Sequence, residues 1–264
     1  MDRKLVFFDI DGTIYKYTSG IPRDTITSIR KLAENGHIPV ICTGRTRVMI
    51  YDEFLEPGFK HIIAGAGTYA EADGEVLYLY ELPDSEIKEA INGFRKYGFS
   101  PIVEGYNTLC VEFDNVNETQ RSRKIIHTYK ENIKECCVPI DMNKEIHASK
   151  ISGVYLNNSD YDGMIKEFGD RYTLVNHENK LLELIPKGYT KATGIKAIME
   201  RMNIPWEKTY AFGDSFNDLE MLEYVKYGIC MGNSDPELFK HTEFRTDDFD
   251  KGGITNALIR FGLI

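Results

Sequence analysis

Three short apolar runs near the start of the chain restrict its architecture before anything else is read. They are Lys4 to Phe8, His37 to Cys42 and His61 to Ala64. Between the first two, Ile26, Ile29 and Leu32 recur at helical spacing over 22–35, with Pro22 at the head and Gly36 as the stop. Thr46 to Leu55 is read as a second helix. Uninterrupted apolar strands belong to sheets buried on both faces. The β-α-β-α-β order is that of a parallel sheet with right-handed crossovers.

The alternation then stops. Thr68 to Glu81 reads as a hairpin turning at Asp73-Gly74. The stretch 84–184 mixes helix candidates (Ser85–Tyr97, Glu118–Asn132, Tyr161–Phe168) with alternating strands (Ile102–Val103, Leu109–Phe113, Ile151–Leu156, Tyr172–Val175, Leu181–Ile185), an α+β unit of ordinary domain size. From Thr190 the β/α order returns: helix Thr190–Met202, strand Lys208–Phe212, helix Asn217–Tyr224, strand Gly228–Met231, then helices around Pro236–His241 and Ile254–Phe261. The expected fold is α/β, a Rossmann-like doubly wound parallel-sheet core formed by 1–83 and 185–264, with an α+β cap inserted at 84–184. The length of 264 residues suits one large domain or two ordinary ones.

Composition narrows the function. With 32 Lys and Arg against 41 Asp and Glu, the net charge is −9, a poor match for sequence-independent DNA binding. A small anionic substrate would need a local device to hold it. No run approaches the length of a spanning helix, the start lacks a signal-peptide core, and five unpatterned cysteines suit reduced thiols. A cytoplasmic protein is expected, with no nucleic-acid or membrane partner. The glycosylation-like Asn117-Glu-Thr and Asn157-Asn-Ser are read as chance matches.

Four stretches carry polar residues suited to chemistry. Phe8-Asp9-Ile10-Asp11-Gly12-Thr13 sets two carboxylates two residues apart just past a strand, where open α/β sheets bind ligands; Asp and Gly are also ordinary turn formers. Cys42-Thr43-Gly44-Arg45 follows the second strand. Its hydroxyl and glycine amides suit an oxyanion, and Thr43 equally suits a helix cap. Lys191 lies in a first helical turn, against the macrodipole, yet a lone lysine is usually a surface residue; Lys187 is read as solvated. Phe212-Gly213-Asp214-Ser215-Phe216-Asn217-Asp218 supplies the hard oxygen donors that Mg²⁺ prefers, or simply a turn and a helix-start charge. Each plain reading is tenable alone, but four such stretches at strand ends and helix starts point to one site.

These four motifs, in this order, together with Met231-Gly-Asn233-Ser and Lys251-Gly-Gly, resemble the haloacid dehalogenase superfamily of phosphatases, in its Cof-like subfamily IIB with a large α/β cap. The resemblance implies a Mg²⁺-dependent phosphomonoester hydrolase. Asp9 would form an aspartyl-phosphate and Asp11 would act as acid and base. Thr43, Gly44 and Lys191 would bind phosphate, with Lys191 pairing Asp9. Mg²⁺ would be held by the Asp9 carboxylate, the Asp11 carbonyl and Asp214, with Asn217 and Asp218 supporting it. The substrate would be a sugar phosphate or similar small phosphorylated metabolite, the cap would close over the site, and the protein would be a monomer or homodimer. A phosphomutase of the same fold, and a receiver-like phospho-accepting switch, are the alternatives. The sequence departs from the branch at Gly65-Ala66-Gly67-Thr68, where Asn-Gly-Ala is usual; if Ala66 replaces the asparagine, a polar contact near the site is lost. Gly65-Ala-Gly67-Thr-Tyr-Ala70 also fits a dinucleotide fingerprint, but leads into a turn and a β-rich run rather than the required helix. Cys42 lies too near Arg45 and Arg47 for a cysteine-phosphatase loop.

Overall fold

The structure is a computed structural model and describes residues 2–113, 120–177 and 180–264. In chain order its elements begin with β1 (Leu5–Phe8), α1 (Arg23–Glu34), β2 (Ile38–Cys42), α2 (Asp52–Leu55), β3 (His61–Ala64), β4 (Tyr69–Ala72) and β5 (Glu75–Leu79). There follow α3 (Asp84–Lys96), β6 (Phe99–Glu104), β7 (Leu109–Val111), α4 (Gln120–Ile133), β8 (Cys137–Pro139), β9 (Lys150–Tyr155), α5 (Tyr161–Phe168), β10 (Tyr172–His177) and β11 (Leu181–Pro186). The chain ends with α6 (Lys191–Met202), β12 (Thr209–Gly213), α7 (Leu219–Tyr224), β13 (Tyr227–Cys230), β14 (Phe244–Arg245) and α8 (Gly253–Arg260). Asn117, and the expected first residues of the helix at 118–132, lie outside the described residues.

Two compact units divide these elements. One comprises Met1–Gly44, Asp52–Tyr78 and Thr190–Ile264; the other comprises Arg45–Tyr51 and Leu79–Tyr189. The first unit is built on a sheet ordered β14-β13-β12-β1-β2-β3-β4-β5. Its pairs from β14 to β3 are parallel, and β4 runs antiparallel to β3. The parallel sheet therefore ends in the hairpin expected at Thr68–Glu81, whose turn residues Asp73 and Gly74 both have positive φ, as a two-residue hairpin turn requires. Strands β1 to β3 step one way from β1, and β12 to β14 step the other. That reversal between β1 and β12 is the switch point at which such sheets bind ligands, beyond the carboxyl ends of the strands.

β1, β2 and β12 are buried at every residue. On one face Leu5, Phe7, Val40 and Ala211 pack with Ile195 and Ile198 of α6 and Met221 of α7. Elsewhere in the core Phe8 stacks on Phe212, ring centres 5.1 Å apart. The apolar runs read from the sequence are thus strands with no solvent face, as their lack of alternation required.

The expected helix at Thr46–Leu55 is broken. Arg47–Met49 forms a single tight turn, α2 follows only from Asp52, and Met49 joins a cluster with Ile102, Leu109 and Val111 of the second unit. Tertiary packing has overridden the local helical pattern. The second unit's sheet is ordered β10-β11-β9-β6-β7-β8. It is antiparallel except where β8 lies parallel to β7. Helices α3 and α5 cover one face through Ile87, Phe94, Met164 and Phe168.

Candidate active site

The turn after β1 is tightly specified. The Asp9 amide donates to the Phe212 carbonyl at 3.0 Å, extending the β1–β12 ladder by one residue. The amides of Ile14 and Tyr15 both donate to the Ile10 carbonyl, at 3.0 and 2.9 Å, and the Gly12 amide donates back to Tyr15. Gly12 has φ +86°, and a Cβ placed there would lie 2.1 Å from Asp214 Oδ2. Only glycine satisfies both the backbone conformation and the close approach. Thr13 then donates from its hydroxyl to Asp214 Oδ1 at 3.1 Å.

The loop beyond β12 folds around Asp218, which is fully buried. Its Oδ2 accepts the amides of Asp214 at 2.9 Å and Ser215 at 3.1 Å. Its Oδ1 accepts from Lys191 Nζ. Ser215 donates its hydroxyl to Asn217 Oδ1 at 2.6 Å. Lys191 opens α6, where the Thr190 amide donates to Thr193 Oγ1 at 3.2 Å. Far from being a surface lysine, Lys191 is 2% exposed, and its Nζ also lies 2.6 Å from Asp9 Oδ1. One ammonium therefore joins a carboxylate from the β1 end to another from the β12 end.

Asp9, Asp214 and Asp218 present carboxylate oxygens within 4.8 Å of one another. Burial, then the neighbouring Asp218 charge, pushes Asp9 well above the usual carboxylate range, with Lys191 opposing the shift. The same two causes push Asp214 up to about 7. Burial alone would lower Lys191, but Asp218 and Asp9 outweigh it and hold the ammonium firmly protonated. Three acids crowded round one ammonium leave a negative excess, and carboxylate oxygens are the donors a small hard cation takes. The residues present fit Mg²⁺.

Thr43 follows β2, buried, with its amide on the Ile63 carbonyl at 2.9 Å and its carbonyl accepting from Ala66 N at 3.0 Å. Gly44 beside it is half-buried, and Asp11 is exposed at its turn. Ala66 is held left-handed at φ 54° and offers only a methyl where the resemblance led us to expect an amide. Gly65–Gly67 makes a tight turn that enters β4, so the dinucleotide-like pattern opens no helix. Cys42 is buried with its thiol pushed up by burial, which makes it a packing residue.

Sequence reasoning assigned no role to two positioning groups within its own motifs. Thr13 orients Asp214. Asn233 donates from Nδ2 to the Gly12 carbonyl at 3.0 Å and accepts from the Phe249 amide at 2.8 Å. An amide side chain just past a buried strand was the available signal for Asn233.

The comparisons with known proteins agree with this geometry. A sequence-family model described as haloacid dehalogenase-like hydrolase matches residues 6–258. The Bacillus subtilis (strain 168) protein YkrA, a phosphatase by designation, is 30% identical over 268 residues, covering all of both chains. The 5-amino-6-(5-phospho-D-ribitylamino)uracil phosphatase YitU of the same organism is 25% identical over 87% of this chain and 86% of its own. Among solved structures, the HAD subclass IIB sugar phosphatase BT4131 superposes with a TM-score of 0.84 at 25% identity, covering 99% of this chain and 100% of that one. The chain belongs to the haloacid dehalogenase-like hydrolase family, and is an enzyme of its phosphatase branch.

Proposed function

We propose that this phosphatase works through an aspartyl-phosphate on Asp9, with Mg²⁺ as its cation and a sugar phosphate or similar small phosphorylated metabolite as its substrate. The observation that carries the reading is the Lys191 ammonium shared by Asp9 and Asp218, with Asp214 in the same cluster. Asp9 attacks phosphorus while the ester oxygen departs, dividing hydrolysis into two easier steps. The exposed Asp11 protonates the departing alkoxide and then takes a proton from the water that cleaves the acyl phosphate. Thr43 and the Gly44 amide bind phosphate oxygens, and Lys191 pairs with Asp9 and the transferring group.

The Asp9 carboxylate, the Asp11 carbonyl and Asp214 would hold Mg²⁺, and Asp218 and Asn217 keep that loop and Lys191 in place. Bound Mg²⁺ would screen the repulsion between a carboxylate nucleophile and a phosphate dianion. The inserted unit, taken as residues 84–184, acts as a cap that selects the leaving group and excludes water. Support for the substrate class comes from the relatives, one named a sugar phosphatase and one a phosphatase of a phospho-D-ribitylamino compound.

Asp9→Asn tests the mechanism. The folded variant is expected to lose p-nitrophenyl phosphate turnover by at least roughly a thousandfold, since an amide is no nucleophile here. Turnover at the wild-type rate would sink the nucleophile assignment.

A further inference from the structure

The turn after β3 departs from the expected family pattern, and the proposed chemistry gives it no part. Gly65, Ala66 and Gly67 have φ of 59°, 54° and 95°, three left-handed residues in succession, all buried. Glycine takes that conformation freely, but alanine does not. A strained residue of this kind persists only where its surroundings over-determine it.

Here they do, through one hydrogen bond at each residue. The Gly65 carbonyl accepts from the Thr68 hydroxyl at 3.0 Å. The Ala66 amide donates to the Thr43 carbonyl at 3.0 Å. The Gly67 carbonyl accepts from the Tyr78 hydroxyl at 2.8 Å. The first bond is local to the turn. The second ties the turn to the loop after β2. The third ties it to β5, eleven residues on, through a half-buried tyrosine packed against the core.

The turn also meets the start of α6. A Cβ on Gly67 would lie 1.8 Å from the Thr190 carbonyl oxygen and 2.5 Å from its carbon, so backbone packs directly on backbone there. Thr190 immediately precedes Lys191, whose ammonium joins Asp9 and Asp218. One turn of three residues therefore touches both Thr43 and the residue that leads into Lys191. Every residue in this series of contacts belongs to the first unit.

We propose that Tyr78 is a positioning residue for the phosphoryl group. By holding the Gly67 carbonyl it fixes the strained turn, and the turn sets Thr43 and Lys191 at the spacing that a phosphoryl group requires. The antiparallel hairpin at the sheet edge then has a task, which is to deliver this hydroxyl. The inference rests on the phosphate-binding reading of Thr43 and Lys191 above.

The test is competitive inhibition of p-nitrophenyl phosphate turnover by inorganic phosphate, with the full chain and Mg²⁺ present. In Tyr78→Phe the Ki of inorganic phosphate should rise about threefold to tenfold, the effect of one lost hydrogen bond. KM for the ester should rise in step while kcat changes less than about threefold, because Thr43 and Lys191 hold the group before and during transfer. Tyr69→Phe is the control. It removes a hydroxyl from β4 of the same hairpin, one that donates to Glu71, and leaves the bonds of the turn in place. Its Ki should stay within about twofold of wild type, whereas a merely structural role would move both variants alike. Gly67→Ala drives the turn off Thr190 and should raise Ki by at least about tenfold; should it not fold, Tyr78→Phe decides. A Ki for Tyr78→Phe within about twofold of wild type, or an equal rise in Tyr69→Phe, overturns the inference. Thr43→Val separates it from the reading beneath it. An unchanged Ki in Thr43→Val overturns the phosphate-binding reading and this inference with it. A raised Ki there, beside an unchanged one in Tyr78→Phe, overturns the inference alone.

Discussion

Lys191 sets the charge balance of the site. Two buried carboxylates share its ammonium, so its loss leaves them facing one another uncompensated. Lys191→Met is expected to cost about 3–5 kcal/mol of stability, the range for breaking a buried pair on one side, and to abolish turnover. Urea unfolding and a phosphatase assay check both; a variant as stable as wild type would mean the acids are not charged together. Asn233 is a quieter case. It ties the Gly12 carbonyl to the Phe249 amide and touches no proposed reacting atom. Asn233→Ala should lower kcat by about tenfold while KM moves less than about twofold, since the turn carrying Asp11 loosens without losing a phosphate contact. Asp9, Lys191, Asp214 and Asp218, which the structure gathers into one cluster, were singled out in the sequence by motif spacing. That Lys191 rather than Lys187 enters the interior was legible only through the motif, since a lysine in the first turn of a helix carries no intrinsic sign of burial.

The helix that carries Lys191 lies very close to the sheet. A Cβ on Gly194 would fall 2.3 Å from Ile63 Cγ2, with the Ile63 Cβ itself 3.1 Å away. A β-branched side chain has no room to swing aside. Gly194→Ala would gain about 1 kcal/mol of helix propensity but lose roughly 1–3 kcal/mol to overpacking. The expected result is a net loss, together with a fall in kcat of roughly tenfold or more, because α6 must shift and take Lys191 with it. Unchanged kcat would show that α6 moves without disturbing its first turn. Elements were read from the sequence where burial leaves a periodic trace. β1, β2 and α5 fall within a residue or so of their expected bounds. β8 and β14 were missed, being three and two residues long and too short for any period to register. The helix expected at Thr46–Leu55 failed for a different reason: Met49 packs among Ile102 and Leu109, a partner far away in the chain. Glu104, Lys150, Ser152 and Glu183 escaped notice because polar residues alternating with apolar ones read as the wet face of a strand, and here that face is buried.

At the scale of the molecule, a chain of net charge −9 gathers three of its acids in one cluster, and the Mg²⁺ proposed for that cluster would couple pH, metal and stability. Without a cation, burial and Asp218 push Asp214 up to about 7 and Asp9 above its ordinary value. A carboxyl raised in this way holds its proton more tightly folded than unfolded. For Asp214 that stabilising contribution is fully present below the unfolded value of about 4 and is lost as pH rises through about 7. Mg²⁺ bound as proposed would compete with those protons, so its effect would run the other way and grow with pH. At a hundredfold excess over Kd, binding contributes about 2.7 kcal/mol, or roughly 5–10 °C in Tm for a chain of this size. The expected outcome of a thermal scan with chelator and with Mg²⁺ is a large upward shift at pH 8 and a small one at pH 5. Asp214→Asn should shrink the shift at pH 8, because a ligand has been removed. A shift of equal size at both pH values, or one indifferent to Asp214→Asn, would place the metal away from these carboxylates and remove the electrostatic basis for Asp9 as a nucleophile toward a dianion.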